Sequence, residues 1–182
     1  MTPGRARLLV IVGAVGILTL GTLAGVSLVE RPMGASHVLR LANCGPSDPR
    51  GTEVNVTLTD GGGGMMGAGN AMMVWIDASP NSVAAGTVTF VATNVGALNH
   101  EFLILPAPVD GIGTRAVRSG GKIDESTSLG EASTSCGRGP GPGISPGTTS
   151  WVTIRLAPGT YELLCDVPWH YANGMFTGFT VR

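Results

Sequence analysis

The segment CDVPWHYANGM, residues 165–175, decides the fold and the chemistry expected of this chain. It places Cys165, His170 and Met175 at a Cys-x4-His-x4-Met spacing, with a strand-like run before it and another after it. A tight loop between two strands can bring these three side chains to one point. A thiolate, an imidazole and a weak thioether are donors that copper accepts in both of its oxidation states. The segment therefore predicts three of the four ligands of a copper site.

A second imidazole is expected from His100, one of only three histidines in the chain. His100 stands where a turn over residues 94–99 gives way to a strand-like run, so it can lie at the same end of a sandwich as the loop. A thiolate and two neutral imidazoles with a long thioether bond form a type 1 copper site. One such copper is predicted, held by His100, Cys165, His170 and Met175. Zinc is the alternative metal, but its structural sites need a fourth strong ligand.

The pattern around these residues indicates an all-β fold. Seven short segments show a hydrophobic period of two, are rich in β-branched and aromatic residues, and are separated by turn residues. About seven such strands predict a β-sandwich. The segments span residues 53–59, 72–77, 87–94, 100–105, 150–156, 160–165 and 176–181.

Two glycine-rich stretches interrupt the strand pattern. Residues 61–70, GGGGMMGAGN, are too rich in glycine for a regular strand and are predicted to form a loop. Residues 106–149 contain many Gly and Pro residues and are predicted to be a long insertion on the surface of the sandwich. Methionines lie in and beside this loop, and because thioethers bind Cu(I), one interpretation is transient capture of Cu(I). The preferred interpretation is that these methionines only belong to a flexible loop or pack in the core. These methionines are Met65, Met66, Met72 and Met73.

The N-terminal part of the chain predicts a membrane anchor. Residues 8–29 are 22 consecutive uncharged and mostly apolar residues, long enough to cross a bilayer core of about 30 Å. Arg5 and Arg7 precede them, so the domain that follows is expected outside the cytoplasmic membrane. A cleaved signal peptide is the alternative. The predicted organisation is a cytoplasmic tail at 1–7, a single transmembrane helix at 8–29, a linker at 30–52 and one β-domain at 53–182.

The net charge argues against a nucleic-acid partner, and the cysteine content indicates a disulfide. The formal net charge is -1, which leaves no basic surface for nucleic acid, so no nucleic-acid partner is expected. Cys44 and Cys136 remain once Cys165 is assigned to the metal. In an oxidising compartment they favour an intrachain disulfide that connects the linker to the insertion, with free or intermolecular thiols as the alternatives.

The upstream His100 and the downstream Cys-His-Met loop resemble the cupredoxin family, and their surroundings look especially like sulfocyanin and its bacterial relatives. The resemblance covers residues 53–182, and it includes the runs 159–165 and 175–178. It implies a Greek-key β-sandwich of eight or a similar number of strands, one copper and no catalysis. The chain departs from the family at Glu101, where many cupredoxins have an Asn whose side chain ties the two ligand loops together; Asn99 is the candidate substitute.

These features predict a protein that carries single electrons between redox partners, such as respiratory or oxidase complexes, on the outer face of the membrane. An exposed edge of His170 in an apolar patch is expected to be the electron port, although Trp169 and Tyr171 can equally serve only to pack the loop. Copper delivery or storage is the alternative function. An enzyme with a further copper centre needs several more histidines, and only His37 is left over.

Overall fold

The structure, a computed structural model, describes residues 44–61 and 73–182. The predicted transmembrane segment 8–29, most of the predicted linker, and His37, Met65, Met66 and Met72 lie outside the described residues. Within the two described ranges, no helix is long and apolar enough to span a bilayer. Ten strands and one 3₁₀ helix are present there: β1 Thr52–Asp60, β2 Val74–Ser79, β3 Ser82–Val83, β4 Gly86–Asn94, β5 Phe102–Pro106, β6 Gly130–Thr134, β7 Gly137–Gly143, β8 Thr149–Leu156, β9 Gly159–Leu164, the 3₁₀ helix Tyr171–Asn173, and β10 Phe176–Val181.

The strands form the predicted all-β sandwich. One layer has the order β2-β1-β4-β8, and the other has the order β6-β5-β9-β10-β3. Strand β7 lies between β8 and β6 and joins the two layers along one edge. Strands that are not consecutive in sequence are neighbours in both layers, as Greek-key connections require.

Side chains from both layers fill the space between them. Strand β2 shows strict alternation of buried and exposed residues, as expected of a strand with one face on the core. Three fully buried rings, Phe90, Phe102 and Phe179, come from β4, β5 and β10. The Phe90 ring centroid lies 5.6 Å from that of Phe102 and 5.1 Å from that of Phe179, which is the usual spacing of tilted aromatic pairs. This aromatic contact links the two layers.

A smaller apolar cluster lies on the outer face of the second layer. Leu103 and Leu105 of β5 and Leu164 of β9 are fully buried there, although they point away from the central core. Ile123, from the irregular segment 107–129, packs against them. We call residues 107–129 the covering segment. Its presence explains why β5 is apolar on both faces.

The predicted surface insertion at 106–149 is only partly irregular. After the covering segment the chain forms β6 and β7, both of which belong to the sheets. The sequence of β7, GRGPGPG, has no strand propensity, and its prolines have no N–H to donate to a ladder. Because β7 is placed by its neighbours β6 and β8 rather than by local preference, the residue pattern predicted only a surface insertion here and did not indicate a strand.

The predicted disulfide between Cys44 and Cys136 is confirmed. The two sulfur atoms are 2.10 Å apart, and the Cα atoms are 5.1 Å apart. Cys136 lies in the turn between β6 and β7, and its N–H donates to the carbonyl of Thr149 at 2.7 Å. The bridge thus fastens the start of the described chain to the edge where the layers meet.

Replacing Cys44 and Cys136 together by Ser is expected to reduce the free energy of unfolding by about 2–4 kcal/mol, because the bridge closes a loop with a sequence separation of 92. Denaturant unfolding of the copper-free protein measures this loss. A loss below about 0.5 kcal/mol would contradict the prediction.

Candidate metal centre

Three buried side chains meet at one end of the sandwich. The Nδ1 atoms of His100 and His170 are 3.2 Å apart, and the Cys165 Sγ atom lies 3.9 Å from the first and 3.4 Å from the second. All three side chains belong to buried residues, and Cys165 is a free cysteine. The structure thus brings together three of the four residues predicted from the sequence at ligand spacing.

The ligand loop, residues 165–175, is closed by its own backbone. Cys165 directly follows β9, and its N–H donates to the Met175 carbonyl at 3.1 Å, while the Met175 N–H donates to the His170 carbonyl at 3.0 Å. The 3₁₀ helix Tyr171–Asn173 follows His170 directly and ends at Gly174, whose φ of 95° favours glycine. These bonds hold the backbone of all three ligand-bearing positions in one ring.

Met175, the predicted fourth ligand, is fully buried in the same core cluster as Cys165. Its side chain is therefore directed into the sandwich rather than toward solvent. With His100, Cys165 and His170, it completes the His-Cys-His-Met set of a type 1 copper centre.

The backbone of His100 is held by the end of the insertion. Its N–H donates to the Ile144 carbonyl at 3.2 Å, and the Ile144 N–H donates to the His100 carbonyl at 2.6 Å. The buried Asn94 side chain ties the preceding turn to the same residue, since its amide donates to the carbonyls of Leu98 and Ile144, each at 2.7 Å. Both contacts fix the direction in which the imidazole enters the site.

Burial keeps all three donors neutral in the metal-free protein. Desolvation lowers the pKa of His170 to about 4, with a further lowering from nearby His100, and desolvation also lowers the pKa of His100. Desolvation raises the pKa of the Cys165 thiol to about 12. The hydrogen bond from the Glu101 amide favours the thiolate and lowers this pKa, but by less than burial raises it. Metal binding at neutral pH must therefore displace the thiol proton, whereas the imidazoles are ready to coordinate.

The spacing of the donors fits a first-row metal ion. An ion about 2.0–2.1 Å from each nitrogen and about 2.3 Å from sulfur, with angles of about 109–120°, separates the donor atoms by about 3.3–3.8 Å. The distances of 3.2, 3.4 and 3.9 Å in the structure lie close to this range. The described residues add no further Cys, His or carboxylate to the cluster, so the weak Met175 sulfur is the available fourth donor. This set suits copper better than zinc.

Asp60 is a contact residue that the sequence analysis did not identify. Its Oδ2 atom lies 3.1 Å from Nε2 of His100, and its side chain is 6% exposed. It also accepts hydrogen bonds from the N–H groups of Ala97 and Leu98 at 2.8 and 3.0 Å. Its position at the end of a strand gave no signal, because the chain segment that holds His100 is about forty residues away.

Glu101 stands where many cupredoxins have an Asn, and it connects the two ligand loops through its backbone N–H and through a salt bridge. Its backbone N–H donates to the Cys165 sulfur at 3.3 Å. Its carboxylate lies 3.5 Å from the ammonium of Lys122, which is also 3.8 Å from the buried carboxylate of Asp166. The residues that follow the first His and the Cys are thus joined through a lysine. Asn99, the candidate substitute, is exposed.

The covering segment packs directly on the ligand loop. The Trp169 N–H donates to the Gly121 carbonyl at 2.8 Å, and a Cβ at Gly121, whose φ is 82°, would lie 2.6 Å from the Trp169 nitrogen. Ile123 donates its N–H to Asp166 Oδ1 at 2.7 Å. Only glycine fits at 121, so the close contact depends on it.

A buried ion pair anchors the covering segment on β9. The Arg115 guanidinium bonds to the carboxylate of the fully buried Glu162, and the Tyr171 hydroxyl donates to the same carboxylate at 3.1 Å. Tyr171 is itself buried, so it packs the loop as the alternative interpretation of this residue expected.

The structure corrects the predicted electron port. His170 is only 3% exposed, so the expectation of an exposed imidazole edge is wrong. The neighbouring Trp169 is 54% exposed and is the large apolar side chain that the ligand loop presents to solvent. The covering segment contacts the residues beside His170, namely Asp166, Trp169 and Tyr171.

Comparisons with solved structures find similarities to known proteins. The chain is similar to rusticyanin from Thiobacillus ferrooxidans, with 20% identity over 72% of this chain and 79% of that chain and a TM-score of 0.46. It is also similar to auracyanin A, a "blue" copper protein from Chloroflexus aurantiacus, with 21% identity over 71% of this chain and 99% of that chain and a TM-score of 0.45. A third is reduced auracyanin from Roseiflexus castenholzii, with 23% identity over 72% and 99% of the two chains and a TM-score of 0.41.

No protein-family model matches the chain, and no curated protein matches it. The nature of the centre therefore rests on the donor atoms themselves: two imidazoles, a thiol and a thioether in a buried pocket.

The pH dependence of stability is expected to reflect Asp166. Burial is the largest cause that raises the pKa of this carboxyl from 3.8 to about 7, with a smaller contribution from Glu125. Between about pH 4 and pH 7 the folded chain holds a proton that the unfolded chain has lost, so the copper-free protein loses stability as the pH rises through this window.

Asp166→Asn removes the buried charge and keeps an oxygen for the Ile123 N–H. We expect it to flatten this fall and to stabilise the protein at pH 8 by about 1–2 kcal/mol, measured by denaturant unfolding at pH 4.5 and 8. The matched control, Asp124→Asn, changes an exposed carboxylate on the covering segment and should leave the fall in place. An equal fall in both variants would contradict the assignment.

Proposed function

We propose that the chain is a type 1 blue copper protein of the cupredoxin class that carries single electrons. The observation that supports this proposal is the buried convergence of the donor atoms of His100, Cys165 and His170, at 3.2–3.9 Å, beside the buried Met175. This donor set tolerates both oxidation states of copper with little change in geometry. When bound, copper supplies the one-electron chemistry by cycling between Cu(II) and Cu(I).

The protein contributes a site that does not need to rearrange. The ligand loop is closed by its own hydrogen bonds, and His100 is bonded through its backbone to Ile144. The Glu101 N–H donates to the Cys165 sulfur and disperses part of the negative charge of the thiolate. Since each ligand is held from the backbone, an electron can enter or leave without moving the ligands.

The place of action is proposed from the sequence. Residues 8–29 would anchor the chain in the cytoplasmic membrane, with the β-domain outside and the Cys44–Cys136 bridge formed in an oxidising compartment. Redox proteins such as respiratory or oxidase complexes would be the partners. The specific likeness to sulfocyanin stays a prediction from the amino-acid sequence of residues 159–165 and 175–178.

The positions of the histidines agree with a role as an electron carrier rather than as an enzyme. Both histidines of the described residues, His100 and His170, are committed to one centre. A second copper of the kind that reduces nitrite or oxygen needs several more imidazoles. We propose that the chain performs no catalysis of its own.

Cys165→Ser tests the central assignment. The Cu(II)-loaded protein is expected to show an intense thiolate-to-copper absorption band and narrow hyperfine splitting in its EPR spectrum, and the variant is expected to lose both. The matched control is the double variant Cys44→Ser with Cys136→Ser, which removes the other two cysteines and should keep the band. A pale Cu(II) spectrum that is indifferent to Cys165 would contradict the proposal.

Copper handling is a second candidate, and one observation favours it. Gly61 and Met73 flank residues 62–72, which include Met65, Met66 and Met72, and the Gly61 N–H donates to the Met73 carbonyl at 2.5 Å. The adjacent Asp60 contacts His100. The methionine-rich segment therefore starts next to a residue that touches a copper ligand.

Met175→Leu and Met73→Leu separate the two candidates. For an electron carrier, the loss of the buried Met175 thioether changes the reduction potential and the EPR parameters, because the axial donor tunes both. Met73, which is exposed, should leave both unchanged. The opposite result, an unchanged potential in Met175→Leu together with slower Cu(I) uptake in Met73→Leu, would favour copper handling.

A further inference from the structure

The Asp60 carboxylate forms a compact set of contacts at the end of β1. One oxygen, Oδ2, accepts hydrogen bonds from Ala97 N–H at 2.8 Å and Leu98 N–H at 3.0 Å and lies 3.1 Å from His100 Nε2. A Cβ at Gly96 would lie only 1.9 Å from this oxygen, so the turn approaches the carboxylate as closely as it does because residue 96 is glycine. The approach is thus built into the turn that carries His100.

The contact determines the tautomer of the imidazole. An ionised carboxylate only accepts hydrogen bonds, so the Nε2 atom of His100 must carry the proton. The Nδ1 atom of the same ring then keeps its lone pair, and this atom lies 3.9 Å from the Cys165 sulfur. Hydrogen bonding of the outer nitrogen to a carboxylate also raises the basicity of the coordinating nitrogen.

Asp60 contacts the imidazole of His100 and not that of His170. Within the described residues, His170 makes its side-chain contacts through Nδ1, and no carboxylate faces its Nε2 atom. The carboxylate therefore contacts the imidazole on one side of the centre only, and its side chain is 6% exposed, so water screens its charge only in part.

We propose that Asp60 is a positioning residue of the metal centre: it fixes His100 in the tautomer that presents Nδ1, and its charge stabilises the oxidised copper. The inference rests on the proposed function. A fixed negative charge close to the centre favours Cu(II), which carries one more positive charge than Cu(I), and so it lowers the reduction potential.

Asp60→Asn isolates the charge from the geometry. The asparagine oxygen can accept the same three hydrogen bonds that Oδ2 receives, so the turn and the tautomer are kept while the negative charge is removed. Against a redox buffer of fixed potential, the Cu(I)/Cu(II) ratio of the full-length protein is expected to rise at least tenfold, equivalent to a rise of about 59 mV for a one-electron couple. The matched control is Asp77→Asn, which removes an exposed carboxylate from β2 and should change the ratio by less than about twofold.

Asp60→Ala removes the acceptor as well as the charge. In the copper-free protein, nitrogen-15 NMR of the imidazoles is expected to show His100 protonated at Nε2 in the wild type and in Asp60→Asn, and a mixture of both tautomers in Asp60→Ala. If Asp60→Ala does not fold, the comparison of Asp60→Asn with Asp77→Asn still decides the electrostatic part.

The outcomes separate this inference from the proposed function. If the wild type lacks the thiolate-to-copper band, the proposed function fails. If the wild type and both Asn variants are blue but Asp60→Asn shifts the Cu(I)/Cu(II) ratio no more than Asp77→Asn does, the inference fails and the function stands. Wild-type His100 protonated at Nδ1 would likewise overturn the positioning role.

Discussion

The close approach of two imidazole nitrogens and one sulfur in the buried interior is the constraint on which the rest of this structure depends. Burying three polar donor atoms at 3.2–3.9 Å from one another costs free energy, and contacts among the three atoms offset only part of that cost. Hydrogen bonds of the backbone hold the donors in place despite this cost. Ladder contacts between the ligand-bearing segments and their neighbours, at Ile144 and Met175, place the donors and leave the side chains no alternative position.

Much of the fold and of the site could be predicted from local patterns. The spacing of residues 165–175 predicted three residues of the centre, because a short loop between strands keeps its residues together whatever the rest of the chain does. The period-two segments predicted the sandwich because burial on one face is recorded in every second residue. The disulfide was favoured over free or intermolecular thiols because Cys44 and Cys136 remained once Cys165 was assigned, in a chain expected in an oxidising compartment.

The remainder depends on contacts between distant segments, which no local pattern encodes. Strand β7 forms from a sequence with no strand preference because β6 and β8 provide its partners. Lys122 and Asp60 are ordinary polar residues in sequence and become part of the site only after folding. The predicted exposure of His170 was wrong for the same reason, since its ring lies against His100, which is distant in the sequence.

The contact between the covering segment and the ligand loop has a consequence for transplanting either part. Gly121 accepts the Trp169 N–H and leaves no room for a side chain, while Ile123 donates to the carboxylate of Asp166. A ligand loop grafted from a known copper protein would meet a surface shaped for Trp169 and Asp166. The two segments are therefore a matched pair, and an exchange of loops between scaffolds has to move both together.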